Sequence, residues 1–285
     1  MSRRTISRIK GAWVLAVLLL TAQAAAAQPI RISVPEYVYA DLAQQVGGPM
    51  VAVTLLDREK TMSNGAAALS QTDLVLCSRA KVDAWLVEAA RQLPAPPVVL
   101  EALSPTSNQI DHEFPWYDTR AMSALTQNLA AELTHRIPAE APRIAANLAR
   151  TQESFRAIDR KFEEIAKTYA GSDILVADAL SRSLIQRLRF KITDEAYVNA
   201  LQRGGAPSAT SLAALRGAIQ RRKGSIFVYD QDAASPAVKE LVAEANDNAI
   251  PVVGLRETMP KRLHYQQWML RELSAVHGAL NQAAP

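Results

Sequence analysis

The stretch PRIAANLARTQESFRAIDRKFEEIAKTY, residues 142–169, decides the architecture. After Pro142 it holds neither proline nor glycine. Its apolar residues Ile144, Leu148, Phe155, Ile158, Phe162, Ile165 and Tyr169 recur mostly in steps of three and four, the spacing of one helix face. Pro142 suits a first helical turn, where its missing N–H costs nothing, and Gly171 suits the stop. The pattern predicts one unbroken helix of about 28 residues, roughly 42 Å long at 1.5 Å per residue. That is too long for the crossover of a small βαβ unit, so it is expected to bridge two lobes.

On both sides of this helix, short apolar runs alternate with helical segments. Upstream, strands are expected at Ile30–Val34, Met50–Leu56, Leu74–Cys77 and Val98–Leu100, with helices at Tyr37–Val46 and Val82–Arg91. Asp118 can cap a further helix with Met122, Leu125, Leu129 and Leu133 inward. Downstream, strands are expected at Ile174–Ala177, Ser225–Tyr229 and Pro251–Leu255. Helices are expected at Ser181–Arg189, Thr210–Arg221, Pro236–Asn246 and Tyr265–Leu280, the last with Trp268, Leu273, Val276 and Leu280 inward. Strands separated by helices argue for parallel sheets, hence an α/β fold of two lobes. The divisions are an N-terminal lobe over 28–141, a linker helix over 142–170 and a C-terminal lobe over 171–285.

Residues 1–27 read as an export signal. Arg3, Arg4, Arg8 and Lys10 form a basic start, Gly11–Leu20 an apolar core, and Ala25-Ala26-Ala27 a small-residue cleavage site. The core is shorter than the ~20 residues of a membrane span. Ser2-Arg3-Arg4 hints at the twin-arginine route, but the following residues fit general secretion better. The signal carries four of the chain's 32 basic residues and none of its 28 acidic ones, so the mature chain balances at 28 and 28. Neutrality removes the electrostatic ground for a nucleic-acid or anionic-membrane partner. No lipid anchor is expected near the cleavage point, because the single cysteine, Cys77, lies far away at the end of an apolar run. It reads as a buried strand thiol. The expected product is a soluble monomer in the periplasm.

No phosphate-binding glycine loop, nucleophile elbow or His-Glu-x-x-His motif occurs, and no nucleophile–base arrangement points to an enzyme. In open parallel sheets, ligands bind beyond the carboxyl ends of the strands. Those ends carry Asp178, Asp230, Asp232 and Glu257 in the second half. In the first half they carry Arg58, Glu59, Lys60 and, past the fourth strand, His112 in a loop rich in polar and aromatic residues. Carboxylates and an imidazole facing one cleft are metal-ligand chemistry, although a solvated rim of loop acids gives the same pattern. His135 and His277 fall near helix C-termini, where a cation is favoured. His264 precedes the last helix.

Several segments resemble the metal-binding receptors of ABC importers, the zinc and manganese solute-binding proteins called cluster A-I. The resemblance rests on Ile250–Pro260 (IPVVGLRETMP) followed by Tyr265–Met269 (YQQWM), and on Tyr37–Gly48 (YVYADLAQQVGG). Trp116-Tyr117-Asp118, Ala206-Pro207-Ser208 and Val228–Gln231 add to it. It covers nearly all of the mature chain and implies two lobes on a rigid helix, a divalent cation (zinc or manganese) as cargo, and an importer permease as partner. The family's ligands are three His, or two His and a Glu, plus one acid. By this resemblance Asp178 stands at the third ligand position and Glu257 at the fourth. The second falls on Phe114, two residues after His112. The first falls in the stretch Leu56–Ser63, which is about seven residues short and holds no His. The implied set is therefore Asp178, Glu257 and His112, weaker for zinc than a three-His site or suited to a harder ion. The alternative is a degenerate receptor that takes no free metal and docks a protein or another solute.

The export signal predicts a mature N-terminus near Gln28. N-terminal sequencing of protein from the extracytoplasmic fraction checks it, and an intact Met1 on a membrane-embedded chain would contradict it.

Overall fold

The computed structural model of the chain describes residues 28–78, 83–102, 114–178 and 182–283. The expected export signal and His112 lie outside the described residues. The N-terminal lobe runs β1 (Ile30–Val34), α1 (Tyr37–Gly47), β2 (Val51–Leu55), α2 (Arg58–Leu69), β3 (Leu74–Cys77), α3 (Ala84–Arg91), β4 (Val98–Glu101) and α4 (Thr119–Arg136). Helix α5 (Ala141–Tyr169) follows. The C-terminal lobe runs β5 (Asp173–Val176), α6 (Arg182–Arg187), β6 (Lys191–Ile192), α7 (Glu195–Gln202), α8 (Ala209–Gln220), β7 (Phe227–Asp230), α9 (Pro236–Asp247), β8 (Val252–Leu255) and α10 (Tyr265–Ala283).

Each lobe holds a four-stranded sheet, ordered β2-β1-β3-β4 in the first and β6-β5-β7-β8 in the second, with every pairing parallel. In both, the chain moves outward to one edge, then returns past the first strand to build the other side. The crossovers therefore diverge between β1 and β3 and between β5 and β7, which leaves a crevice at the carboxyl ends of those strands.

Helix α5 is continuous over 29 residues. Ala170 is its cap residue, and Gly171 follows in the left-handed region at φ +83°, where a Cβ would be strained. Ile144, Phe155, Ile158, Phe162 and Ile165 are buried against α1, α4 and α10. Burying one such side chain is worth about 1.5–3 kcal/mol. The exposed pairs on the same helix, Arg156–Glu153 and Lys161–Glu164, are each worth under ~1 kcal/mol. Packing therefore holds this helix in place. The core it organises is one continuous cluster reaching from Ile30 in the first lobe to Leu280 in the second. A smaller cluster around Val75, Cys77, Leu86 and Leu69 sits between the first sheet and α2/α3.

Polar ties reinforce the junction. Asp41 on α1 accepts from the Tyr265 N–H (2.8 Å) and pairs with His264 Nδ1 (2.7 Å), so a carboxylate of one lobe caps the first turn of α10 in the other, where the helix dipole favours negative charge. The Tyr265 hydroxyl donates to the Trp116 carbonyl (2.7 Å), and its ring meets Phe155 edge-on at 5.5 Å. Arg187 of α6 pairs with Asp159 of α5 and stacks over Phe162 at 4.0 Å, while Asp159 also accepts from Thr119 of α4.

Three expectations change. The stretch from Arg58 onward forms helix α2, with the Asp57 side chain accepting from the Lys60 N–H (3.0 Å). Its sequence, broken by Gly65 and by a non-helical Asn64, carries no clear apolar period to reveal it. The short elements β6 and α7 also escape periodicity, being two and eight residues long. Finally, α10 runs to Ala283, so His277 lies inside it rather than in its last turn. There Lys161 donates to its Nδ1 (2.9 Å). His135 does lie in the last turn of α4. Cys77 is buried, and burial pushes its thiol pKa well up, away from reactivity.

An unkinked helix shared by both lobes permits rocking but no wide hinge. Solution scattering with and without added divalent cation is expected to give nearly equal radii of gyration, and a large decrease would contradict this.

Candidate functional site

Both crevices are lined by acids that the strands deliver. In the first lobe, Glu36 stands two residues past β1 and Asp83 stands between β3 and α3. In the second, Asp178 follows β5, Asp230 ends β7 and Glu257 follows β8. Alternation along a strand sends successive side chains to opposite faces, but residues just past the end leave the ladder and turn over the sheet's rim.

Glu36 is the most perturbed of these. Burial pushes its carboxyl up to about 7, and the negative charges of Asp83 and of Glu257 add to the shift. Since Glu36 belongs to one lobe and Glu257 to the other, this interaction reads directly across the crevice. Asp83 is also raised, by burial first, although Ser78 offsets this by donating its backbone N–H (2.7 Å) and Arg58 nearby favours the charged form. Ser78 further bonds the Tyr39 hydroxyl (2.7 Å), so Asp83, Ser78 and Tyr39 form one buried chain behind β1 and β3. Tyr39 and Tyr117 are both raised well above their usual value by burial and stay protonated.

The expected ligands fare differently. Asp178 and Glu257 both stand past strand ends, half-buried. The charge of Asp178 reaches Tyr117 of the first lobe and Tyr197 of α7. His112 lies outside the described residues, and its neighbour Phe114 packs edge-on against Trp116 at 5.5 Å. Among the described residues no three His, Cys, Asp or Glu side chains close on a common point. Asp230 is buried and turned back to its own loop, accepting from the N–H groups of Asp232 (2.8 Å) and Ala233 (3.3 Å). Asp232 pairs with Arg256 (2.7 Å). These two acids build the loop.

Sequence reading missed Glu36 and Asp83. The available signal was positional: Glu36 sits two residues past the first expected strand, much as Asp178 immediately follows the expected strand Ile174–Ala177. Glu36 was instead absorbed into the approach to α1. Asp83 fell within the helix expected from Val82, whereas it stands just before α3 as its N-cap residue. Arg58, at the start of α2, is a cationic group of this rim within electrostatic reach of Asp83.

Among the described residues no helix is long and apolar enough to cross a membrane. No curated protein sequence matches the chain. Solved structures do. The SBP FpvC from Pseudomonas aeruginosa in complex with Mn2+ superposes with a TM-score of 0.71 at 14% identity, covering 90% of this chain and 100% of that one. The periplasmic zinc-binding protein TroA from Treponema pallidum gives 0.71 at 14%, covering 89% and 99%. The Cd-bound periplasmic metal-binding protein from Candidatus Liberibacter asiaticus gives 0.67 at 16%, covering 88% and 99%. At such identities the likeness shows a shared two-lobed fold. The family model of the periplasmic zinc-uptake complex component A, ZnuA, matches residues 32–279, and the chain belongs to that family.

Proposed function

We propose that this protein is the periplasmic receptor of a metal-ion ABC importer, capturing a divalent cation between its lobes and delivering it to the permease with no bond made or broken. The observation that supports the reading is that acids of both lobes stand past the strand ends and that the charge of Glu257 in the second lobe reaches Glu36 in the first. Glu36 and Asp83 come from the first, Glu257 from the second, and the charge of Glu257 helps raise the Glu36 carboxyl. Like charges on partly buried acids repel, and a divalent cation is a charge that relieves them. The working units are the lobes over 28–141 and 171–285, held by the helix over 142–170, in a chain exported by its first 27 residues. Asp178 and Glu257 are the ligands from the C-terminal lobe, with His112 the imidazole from the other side. A site so rich in oxygen favours manganese over zinc relative to three-imidazole sites.

A second reading has its own support. Arg58 stands near Asp83, in the stretch where the family resemblance implies a His. A fixed cation beside that acid partly does what a bound ion would do, and suits a receptor for a solute other than a free metal. Metal analysis of protein purified without chelator separates the two. A stoichiometric ion supports the first reading, while clean apo protein that ignores added zinc and manganese supports the second. With an ion bound in wild type, calorimetry is expected to show Asp178→Ala and Glu257→Ala weakening manganese binding at least about tenfold, as loss of a ligand or its support does. Unchanged binding in both variants would remove these residues from the site.

The sign of the pH dependence follows from Glu36. Its folded pKa of about 7 lies above the ordinary carboxylate value of 4.5, so the folded state binds the extra proton between those values. Its contribution to stability is full below the lower value and is lost as pH rises through about 7. Thermal melting of the apo protein is expected to show that Glu36→Gln stabilises relative to wild type at pH 8 and less so at pH 5. A difference independent of pH would contradict the assignment. Saturating cation is expected to reduce the wild-type loss at pH 8, because ligation favours the deprotonated site.

A further inference from the structure

Two tyrosines cross the boundary between the lobes in opposite directions. Tyr265, at the start of α10, donates its hydroxyl to the Trp116 carbonyl of the N-terminal lobe (2.7 Å). Tyr117, the residue after Trp116, donates its own to the Arg256 carbonyl of the C-terminal lobe (2.6 Å). Both tyrosines are fully buried. Phenylalanine would fill either core position, and a buried hydroxyl is costly unless it is bonded. What the hydroxyls add to the packing is therefore these two bonds.

The Tyr117 bond falls beside a candidate ligand. The β7–β8 pairing ends at Asp230 and Leu255, where the Gln231 N–H donates to the Leu255 carbonyl (2.9 Å). The next carbonyl, that of Arg256, lies past the strand and takes the Tyr117 hydroxyl. It shares a planar peptide unit with the Glu257 N–H, so holding it fixes the plane from which Glu257 departs. The side chains flanking Glu257 are held too. The Arg256 guanidinium pairs with Asp232 Oδ1 (2.7 Å), and the Thr258 hydroxyl makes a longer bond to Asp232 Oδ2 (3.4 Å). Those ties stay within the C-terminal lobe, whereas Tyr117 supplies one from the opposite lobe. Tyr117 is itself well anchored. Its ring meets Trp268 edge-on at 5.9 Å, and the Trp116 carbonyl that Tyr265 holds belongs to the peptide unit of the Tyr117 N–H.

We propose that Tyr117 is a positioning residue for the receptor site. Its hydroxyl holds the Arg256–Glu257 peptide against the N-terminal lobe, so that Glu257 meets a divalent cation in an orientation the opposite lobe sets. This rests on the proposed function, since it takes Glu257 as a ligand. Without the hydroxyl the segment samples other orientations, and apparent affinity falls with the fraction of time spent in the competent one. What the clamp requires of residue 117 is a donor at the end of a planar ring.

The test uses the mature full-length chain as wild type, as Tyr117→Phe, with 4-aminophenylalanine in place of Tyr117, and as Ile165→Val. Manganese binding is read from the EPR signal of free Mn(II), and amide hydrogen exchange is followed at residues 255–258. Tyr117→Phe keeps the ring and loses the donor. It is expected to weaken manganese binding roughly five- to tenfold, the shift that one lost hydrogen bond gives, and to speed exchange at 255–258. The 4-aminophenylalanine form regains a donor and is expected to bind within about twofold of wild type, a rescue that ring packing alone does not give. Ile165→Val trims the core of α5 away from the clamp. It is expected to lower the melting temperature while leaving manganese affinity and exchange at 255–258 unchanged. The proposal is overturned if Tyr117→Phe binds manganese like wild type, if the 4-aminophenylalanine form is as weak as Tyr117→Phe, or if Ile165→Val loses as much affinity. Should wild type bind no manganese, the metal reading fails by itself. Exchange then decides whether Tyr117 positions this segment, with unaltered exchange at 255–258 in Tyr117→Phe overturning that as well.

Discussion

The burial of one face of α5 is the constraint from which the remaining geometry follows. Ile144, Phe155, Ile158, Phe162 and Ile165 need apolar partners along most of a 29-residue helix, and neither lobe alone is long enough to supply them. The first lobe provides α1 and α4 and the second provides α10. Once all three are docked, the two sheets have a fixed relation, and their carboxyl edges meet over one crevice. The polar ties then select among the packings this allows. Asp41 capping α10, Tyr265 reaching the Trp116 carbonyl and Arg187 reaching Asp159 each demand one alignment.

The crevice works against this order. Burial disfavours the charge of Glu36 and of Asp83, and Glu36 responds by holding its proton up to about 7. A fold under selection only for stability would place such acids in solvent. The core provides the surplus that tolerates them. Around the crevice the protein spends further buried polar groups on orientation: Asp230 on its own loop, Asp83 on Ser78, Glu272 on Trp268. Each closes hydrogen bonds that would otherwise cost more to leave unmade than they return when formed.

Much of the fold was legible because it is periodic. The long helix, the four strands around Ile32, Leu76, Leu175 and Val253, and the inward face of α10 all repeat at helical or strand spacing. Parallel pairing followed from their alternation. The failures share a cause. Helix α2, with Asn64 and Gly65 inside it, and the two-residue strand β6 are held by neighbours rather than by their own pattern. At the site, Asp178 and Glu257 were legible as acids following apolar strands. Glu36 and Asp83 were hidden because each reads equally well as the approach to a helix.

By itself the sequence determined the elements, their alternation, the single linker helix and the acids that the strands carry to their ends. These depend on local spacing and on which side chains avoid water. Only the tertiary structure decided the strand orders β2-β1-β3-β4 and β6-β5-β7-β8, and therefore where each crevice opens. It alone decided that Glu36 and Glu257, 221 residues apart in the chain, would share one field. Such relations arise from the packing of distant segments, and no local period in a chain encodes the distance between residues that meet only when two lobes close on a common helix.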